Sequence, residues 1–298
     1  MATLREIKRR ISSVKSTQKI TKAMKMVAAA KLRKAQENIL SARPYAYRLG
    51  ALIKHIANNE DARANRLIRS GRILDKKKVL VVVVTADRSL CGAFNSNILR
   101  RFNMLIQDDF KTYYDAGDLS VVTVGRKGDE YFAKRDFHLV GRYTNFFNHM
   151  SISNAVDIVS TCVKQFVDGD ADEVYVLYNE FKSAIQQNLV LEKLLPVEPE
   201  NVESEDHKYH LEADYIYEPS QYEIINTLIP RHLNVQMWRI LLESFAAEMG
   251  ARMTAMDSAT ENAGELIDSL VLFYNRARQA AITKEILEVV SGAEALQK

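Results

Sequence analysis

The chain has 298 residues, of which 47% are hydrophobic and 27% are charged, and its formal net charge is +3. This length allows one or two domains with a sizeable core, and so small a net charge indicates no particular partner. Cys91 and Cys162 are too few and too far apart for a disulfide framework or a zinc site, which favours a reducing compartment. The longest apolar run, residues 79–84, is too short to span a bilayer.

The spacing of apolar residues predicts one long basic helix at residues 1–57. Apolar and small side chains recur at alternating steps of three and four, the pattern of a helix with a coiled-coil seam. The seam consists of Ile7, Ile11, Val14, Gln18, Thr21, Lys25, Ala28, Leu32, Ala35, Ile39 and Ala42. Between Met1 and Lys54 there are fourteen bases and only two acids, so the helix carries a large basic excess. Pro44 is expected to bend the helix, or to end it so that it restarts.

Residues 58–78 form a polar linker, and residues 76–217 predict a Rossmann-like α/β domain. Strands are predicted at residues 79–85, 119–124, 137–141 and 173–179, with helices at 93–114, 126–135 and 151–167 between them. This alternation indicates a mainly parallel sheet covered by helices. Residues 187–195 predict an edge strand, and a last short strand at 215–217 follows an acidic loop.

Residues 220–298 predict a second long helix. One heptad column is formed by Leu242, Met249, Met256, Ala263, Leu270, Ala277 and Lys284, and a second column three residues further on by Phe245, Arg252, Ala259, Leu266, Phe273, Ala280 and Leu287. About 60 residues make a rod on the order of 90 Å, which needs a partner along its length. We therefore expect the two chain ends to form an antiparallel coiled coil with the α/β domain inserted between them.

Two turns of the α/β domain are candidates for chemistry. Cys91, in the turn at residues 87–92, lies at a helix start and is either a nucleophile of lowered pKa or part of a structural turn. The turn at residues 125–128, with a glycine at each end, either binds phosphate or is a surface turn. Neither matches a P-loop or a dinucleotide fingerprint, so we favour the structural interpretations.

The C-terminal half offers two weaker candidates. His207 and His210 lie close together but without a third metal ligand, which favours a solvated loop over a metal site. Asp257 and Glu261 share a helix face, either as paired carboxylates or, as we expect, as exposed charges facing Arg252. The sequence therefore predicts no catalytic residue, no metal site and no cofactor.

The basic N-terminal helix has two functional interpretations. It binds nucleic acid through counterion release, or it faces an acidic protein surface. Its bases alternate with alanine and methionine rather than with aromatic residues, and no recognition motif accompanies them. A protein partner is favoured, and a basic coiled-coil nucleic-acid binder is the alternative.

Four stretches of the sequence resemble one known family. Residues 17–28, 87–92, 248–263 and 274–279 are similar to the gamma subunits of F-type ATP synthases, and the resemblance covers the whole chain. One departure is Ser89, which stands where the family usually has glycine. The resemblance implies a central rotor shaft that couples ion flow to ATP synthesis, or hydrolysis to pumping, while the catalytic sites belong to the beta subunits.

The resemblance also implies partners and a location. The partners are the ring of alpha and beta subunits, the epsilon subunit and the membrane c-ring. The basic pattern continues past Leu32 without a processing break, and no extra regulatory cysteine pair is present, so we expect a bacterial chain peripheral to the cytoplasmic face of the cell membrane. The contacts implied with the stator ring are Lys8, Arg9, Lys15, Lys19, Lys22, Met24, Lys25, Arg252, Arg276, Arg278, Gln279, Thr283, Ile286 and Val290.

Overall fold

A computed structural model describes residues 3–56, 65–68, 77–148, 150–184, 186–197, 218 and 220–296. Its helices are α1 (Leu4–Ile56), α2 (Phe94–Gln107), α3 (Lys111–Ala116), α4 (Arg126–Phe132), α5 (Ile152–Asp168) and α6 (Gln221–Leu296), with a short 3-10 helix at Phe146–Asn148. The strands are β1 (Val79–Val84), β2 (Leu119–Val124), β3 (His138–Tyr143), β4 (Glu173–Phe181) and β5 (Gln187–Leu195). The strand expected at residues 215–217, the acidic loop and most of the linker lie outside the described residues.

The five strands form one sheet in the order β3-β2-β1-β4-β5. β1 to β4 are parallel to one another, and β5 is an antiparallel edge strand on β4. The predicted fold class is confirmed: long helices from both ends of the chain flank a parallel-rich α/β sheet. One predicted element was wrong, because the single helix expected at residues 93–114 is two helices. The chain turns after α2 so that the amide of Phe110 bonds to the carbonyl of Leu105 and its ring is buried.

β1 lies at the centre of the sheet, and all six of its residues are buried. Its even-numbered residues, beginning with Leu80, pack in a cluster that also contains Ile158 of α5 and Ile229 of α6. Its odd-numbered residues pack with α2, whose Ile98 and Phe102 are fully buried. Helices therefore cover both faces, which explains the uninterrupted apolar sequence of this strand.

The chain divides into two compact units: residues 1–28 with 253–298, and residues 29–252. α1 continues through Pro44, so the helix does not end and restart there. In the second unit, Leu32, Ala35 and Ile39 of α1 pack with Leu242, Ala246 and Met249 of α6. The domain boundaries expected at residues 57, 76, 217 and 220 stay a prediction.

In the first unit, α1 and α6 run antiparallel. Thr21 and Thr260 share a hydrogen bond of 2.7 Å between their hydroxyls, and the Nζ of Lys25 contacts the carboxylate of Asp257 at 2.5 Å. Further along, a Cβ built on Gly264 would lie 3.2 Å from the Nε2 of Gln18. The small residues of this seam allow the two backbones to come close together.

One column of the heptad pattern on α6 was correct, whereas the other was correct at Phe245, which packs with Leu32 and Ala246, and wrong further along the helix. Met256 and Ala263 are buried as expected, but their partners on the seam are four residues further on, such as Ile267, rather than three. Leu266 and Phe273 of the predicted second column are 42% and 53% exposed. A seam close enough for Gly264 to contact Gln18 leaves no room for side chains of that size, so these large apolar groups are left outside it.

His232 of α6 supplies a test of this packing. The side chain is 5% exposed, its Nδ1 has no hydrogen-bond partner, and burial, helped by the charge of Arg239, lowers its pKa to about 4. Between that pKa and its ordinary value of 6.5, the unfolded chain binds a proton that the folded chain does not. The contribution of His232 to stability is therefore complete above the ordinary value and is lost as the pH falls below it.

We expect His232→Leu to remove this pH dependence. The wild-type free energy of unfolding should fall relative to that of the variant by about 2 kcal/mol between pH 7 and pH 5. Urea denaturation followed by the fluorescence of Trp238, the only tryptophan in the sequence, measures both. If the free energies of unfolding of wild type and variant differ by the same amount at every pH in this range, His232 is not kept uncharged in the folded chain.

Candidate functional site

The first unit presents a basic surface along the start of α1. Its side chains are exposed, and within the described part of the chain none of them forms an ion pair: Lys8, Arg9, Arg10, Lys15, Lys19 and Lys22. Lys25 differs, because it is half-buried and paired with Asp257. Lys19, Lys22 and Lys25 line an open groove of about 480 Å³, whose far wall is formed by Asp257 and Thr260. A surface with this charge is complementary to an acidic partner.

The end of α6 forms a second surface, which is apolar. Every residue from Ile282 to Ala293 is exposed, including Ile286 at 57% and Val289 at 71%. Thr283 bonds only to the carbonyl of Gln279 in its own helix. A helix end this apolar and this exposed is the kind of surface that a protein partner covers.

Of the fourteen residues expected to contact the stator ring, the structure buries only Arg252, which is 8% exposed. Its Nη1 donates to the carbonyl of Ser89, in the turn after β1, at 2.5 Å, and its Nη2 donates to Glu248 at the same distance. Met24 and Lys25 are half-buried, and the other eleven are exposed. Asp257 and Glu261 are exposed as expected, but Asp257 pairs with Lys25, and Arg252 pairs with Glu248.

The turn after β1 is a structural element of the second unit. The buried carboxylate of Asp87 accepts three backbone N–H bonds of 2.9 to 3.0 Å, from Arg126, Asn145 and Phe147. This one side chain therefore joins the segments that follow β2 and β3 to the end of β1. Burial and the charge of Glu248 raise the pKa of Cys91, against the opposing charge of Arg252, so the reactive thiolate is disfavoured.

The turn at residues 125–128 uses its amide groups within the chain. Arg126 donates to Asp87, Lys127 to the carbonyl of Ala86 at 3.1 Å, and Gly128 to the hydroxyl of Thr85 at 2.8 Å. A phosphate at a helix start needs free amide groups. These groups are occupied, which contradicts a phosphate site here and agrees with the structural interpretation.

α6 also covers the crevice where sheets of this type bind ligands. The order of the strands reverses between β1 and β4, and ligands of open α/β sheets bind outside the carboxyl ends of the strands at such a point. Here Arg252 bonds to the turn after β1, and a Cβ built on Gly250 would lie 3.1 Å from the carbonyl of Ala184, which follows β4. The chain's own helix thus occupies this position.

Sequence reasoning missed a cluster of charged side chains beneath α6. Arg239 and Glu243, four residues apart, lie in a largely apolar stretch of the helix; Arg239 bonds to Glu192 and Tyr178 of the sheet and to Glu243 in its own helix. Two opposite charges at this spacing inside an apolar run were the available signal.

No metal or membrane element is found in the described ranges. They contain no group of three or more His, Cys, Asp or Glu side chains arranged to hold a metal ion. His207 and His210 lie outside these ranges. None of the described helices combines the length and the apolar character that crossing a membrane requires.

Comparison with known proteins places this architecture in a family. A family model described as ATP synthase matches residues 3–296. The ATP synthase gamma chain of Chloroherpeton thalassium is 50% identical over 304 residues, covering 100% of this chain and 99% of the relative, and that of Chlorobaculum tepidum is 46% identical over the full length of both chains. The chain belongs to the ATP synthase gamma chain family.

Solved structures agree with this assignment. A chain of the Tetrahymena thermophila mitochondrial ATP synthase, from a structure of the central stalk and c-ring, matches with a TM-score of 0.61 and 25% identity, over 80% of this chain and 99% of that one. A chain of the Euglena gracilis mitochondrial ATP synthase shares the fold, with a TM-score of 0.67 and 18% identity, over 98% of this chain and 94% of that one.

We expect Asp87→Ala to destabilise the second unit by roughly 3 kcal/mol, because three N–H groups, one buried and two partly buried, lose a charged acceptor. Urea denaturation followed by Trp238 fluorescence measures the loss. Asp109→Ala, at an exposed position after α2, is the control and should change stability by less than about 0.5 kcal/mol. Equal effects of the two substitutions would refute the structural role of Asp87.

Proposed function

We propose that this chain is the central-stalk rotor subunit of an ATP synthase. It couples ion flow through a membrane c-ring to the conformational cycling of catalytic beta subunits, for ATP synthesis or, in reverse, for hydrolysis. The observation that carries the proposal is the end of α6, where twelve successive exposed residues, Ile282 to Ala293, form a largely apolar helix with no covering partner among the described residues. The full-length similarity to gamma chains supports it.

The paired helices of the first unit suit a shaft. Two helices packed along a common seam resist bending and twisting better than one, and small residues such as Gly264 keep the pair thin. The surrounding ring of alpha and beta subunits would meet the exposed bases of α1. Exposed ion pairs contribute only about 0 to 1 kcal/mol each, so successive contacts of this kind guide a rotation without stopping it.

We propose stator contacts through the residues that the chain leaves accessible. These are Lys8, Arg9, Lys15, Lys19, Lys22, Met24, Lys25, Arg276, Arg278, Gln279, Thr283, Ile286 and Val290. Arg252 suits this role less well, because its guanidinium is already bonded to Ser89 and Glu248. The epsilon subunit and the c-ring would contact the α/β unit.

We also propose that the chain has no catalytic site and needs no cofactor. The raised pKa of Cys91 and the occupied amide groups of residues 126–128 support this, as does the position of α6 over the crevice of the sheet. The chain would be held at the cytoplasmic face of a bacterial membrane by its partners. The comparisons favour the central stalk over the alternative of a nucleic-acid-binding protein.

The proposal predicts that deleting residues 285–298 lowers coupling more than assembly. Residues 285–293 are exposed throughout, so the remaining structure should fold and join the complex without them. Co-purification of the alpha and beta subunits measures assembly, and ATP-driven ion uptake by reconstituted vesicles measures coupling. Glu288→Gln is a control for the loss of an exposed charge. Equal losses of assembly and uptake would count against a role of this apolar end in coupling.

The proposal also predicts that Lys15→Gln, Lys19→Gln and Lys22→Gln together weaken binding of the chain to an alpha–beta ring. We expect a loss of about tenfold at low ionic strength, fading at high salt as screening increases. A matched variant replaces three exposed lysines of the other unit, Lys111, Lys134 and Lys164, and should bind normally. Unchanged affinity of the first variant for the ring, with a loss of DNA affinity instead, would favour the nucleic-acid alternative.

A further inference from the structure

Most of the contact between α6 and the sheet is apolar. Ile229, Leu233, Met237 and Ile240 are fully or almost fully buried in the cluster that also contains Leu80 of β1. Hydrophobic attraction depends on the area buried and not on direction. Such packing holds the helix against the sheet and resists twisting through the fit of its side chains, but it supplies no bond of fixed direction.

Arg239 adds a directional contact to this interface. Its Nη2 donates to both carboxylate oxygens of Glu192 in β5, at 2.6 and 2.8 Å, and its Nη1 lies 3.3 Å from the hydroxyl of Tyr178 in β4. Within the described ranges, this is the one ion pair that joins α6 to the sheet. Both bonds to Glu192 come from one nitrogen, and the second terminal nitrogen faces Tyr178 and Glu243, so the planar guanidinium is held on two sides by bonds of defined direction.

The surrounding groups hold Arg239 in place. Tyr178 donates to Glu192 at 2.9 Å, Glu243 accepts from the guanidinium at 3.3 Å, and Gln236 accepts from its Nε at 2.8 Å. The side chains of Arg239 and Glu192 are only 23% and 29% exposed, and Tyr178 is 1% exposed. Burial lowers the pKa of Arg239, but Glu192 and the other acidic neighbours outweigh burial and raise it, so the charged guanidinium is favoured.

Two further polar contacts lie further along the same helix. Gln187 at the start of β5 donates to the carbonyl of Ala247 at 3.0 Å, and Arg252 donates to Ser89 beyond β1. Arg239 and Arg252 are thirteen residues apart, which places them about 20 Å apart along an ideal helix and about 140° apart around it. Contacts on different sides of a helix, at different heights, oppose both sliding and axial rotation.

We propose that Arg239, bound by Glu192 and Tyr178, is a positioning residue that fixes the rotational setting of α6 on the sheet and carries torque between the sheet and the helix. The inference rests on the proposed rotor function. It assigns part of the torque transmission to the cluster of Arg239, Glu192 and Tyr178. This cluster contacts neither the proposed stator residues nor the apolar end of α6.

The test separates torque transmission from stability. A variant with Arg239→Met, Glu192→Met, Glu243→Met and Tyr178→Phe replaces the whole cluster by apolar side chains of similar size. Replacing a complete buried ionic cluster in this way is often neutral for stability, so the melting temperature should stay within about 4 °C of wild type. Assembly and ATP hydrolysis by the complex should be retained, while the ions pumped per ATP fall about threefold or more, because apolar packing has no fixed direction.

Two further variants serve as a control and as a rescue of the ion pair. Arg33→Gln with Glu37→Gln removes an exposed ion pair of α1 and should couple normally. The exchange Arg239→Glu with Glu192→Arg keeps the net charge of the cluster and an ion pair between α6 and β5. Its coupling should be close to that of wild type. If the apolar variant pumps as wild type does at unchanged stability, the inference fails while the rotor function stands. If wild-type chain does not restore coupling to a complex depleted of it, the rotor function itself fails.

Discussion

The burial of the first part of α6 on the sheet is the constraint on which the rest of the structure depends. β1 is apolar on both faces, so it is stable only if each face is covered, and burying one large apolar side chain contributes roughly 1.5 to 3 kcal/mol. α2 covers one face, while α5 and α6 cover the other. α6 then continues as one helix to Leu296. A single element therefore has a buried half, chosen for packing, and an exposed half that is free to meet other proteins.

Charged side chains also differ between the buried and the exposed parts of the long helices. Arg239 and Arg252 lie in the buried half and find their acceptors inside the chain, because a charge removed from water is costly unless it is paired. Lys15, Lys19 and Lys22 on α1 remain in water and need no partner to be stable. The buried bonds of the two arginines are permanent and have a defined geometry. The contacts that exposed lysines make are weak, screened by salt and easily exchanged. A rotating part uses both: fixed contacts within itself and exchangeable ones with its surroundings.

Periodicity was enough to predict the fold class, the edge strand and the seam of α1, since these depend on apolar spacing alone. The column of α6 that contains Leu266 and Phe273 was assigned to the seam wrongly, because the pattern identifies large apolar residues but not how closely two backbones approach. The charged cluster around Arg239 was missed for a related reason: Glu192 is 47 residues away and reaches it only through the sheet. The roles of Asp87 and of the amide groups near Gly128 likewise depend on loops brought together by parallel strands.

The seam of the first unit joins residues from opposite ends of the chain; Gln18 and Thr260, for example, are 242 residues apart. During synthesis, α1 leaves the ribosome first and must wait for nearly the whole remaining chain before its partner exists. An exposed apolar helix in that interval is prone to aggregate. Gln18, Thr21 and Lys25 make this part of the seam polar, and the surrounding bases repel other copies of the same segment. The polar and basic composition that suits a slender seam thus also opposes aggregation of α1 in the interval before its partner segment of α6 is made.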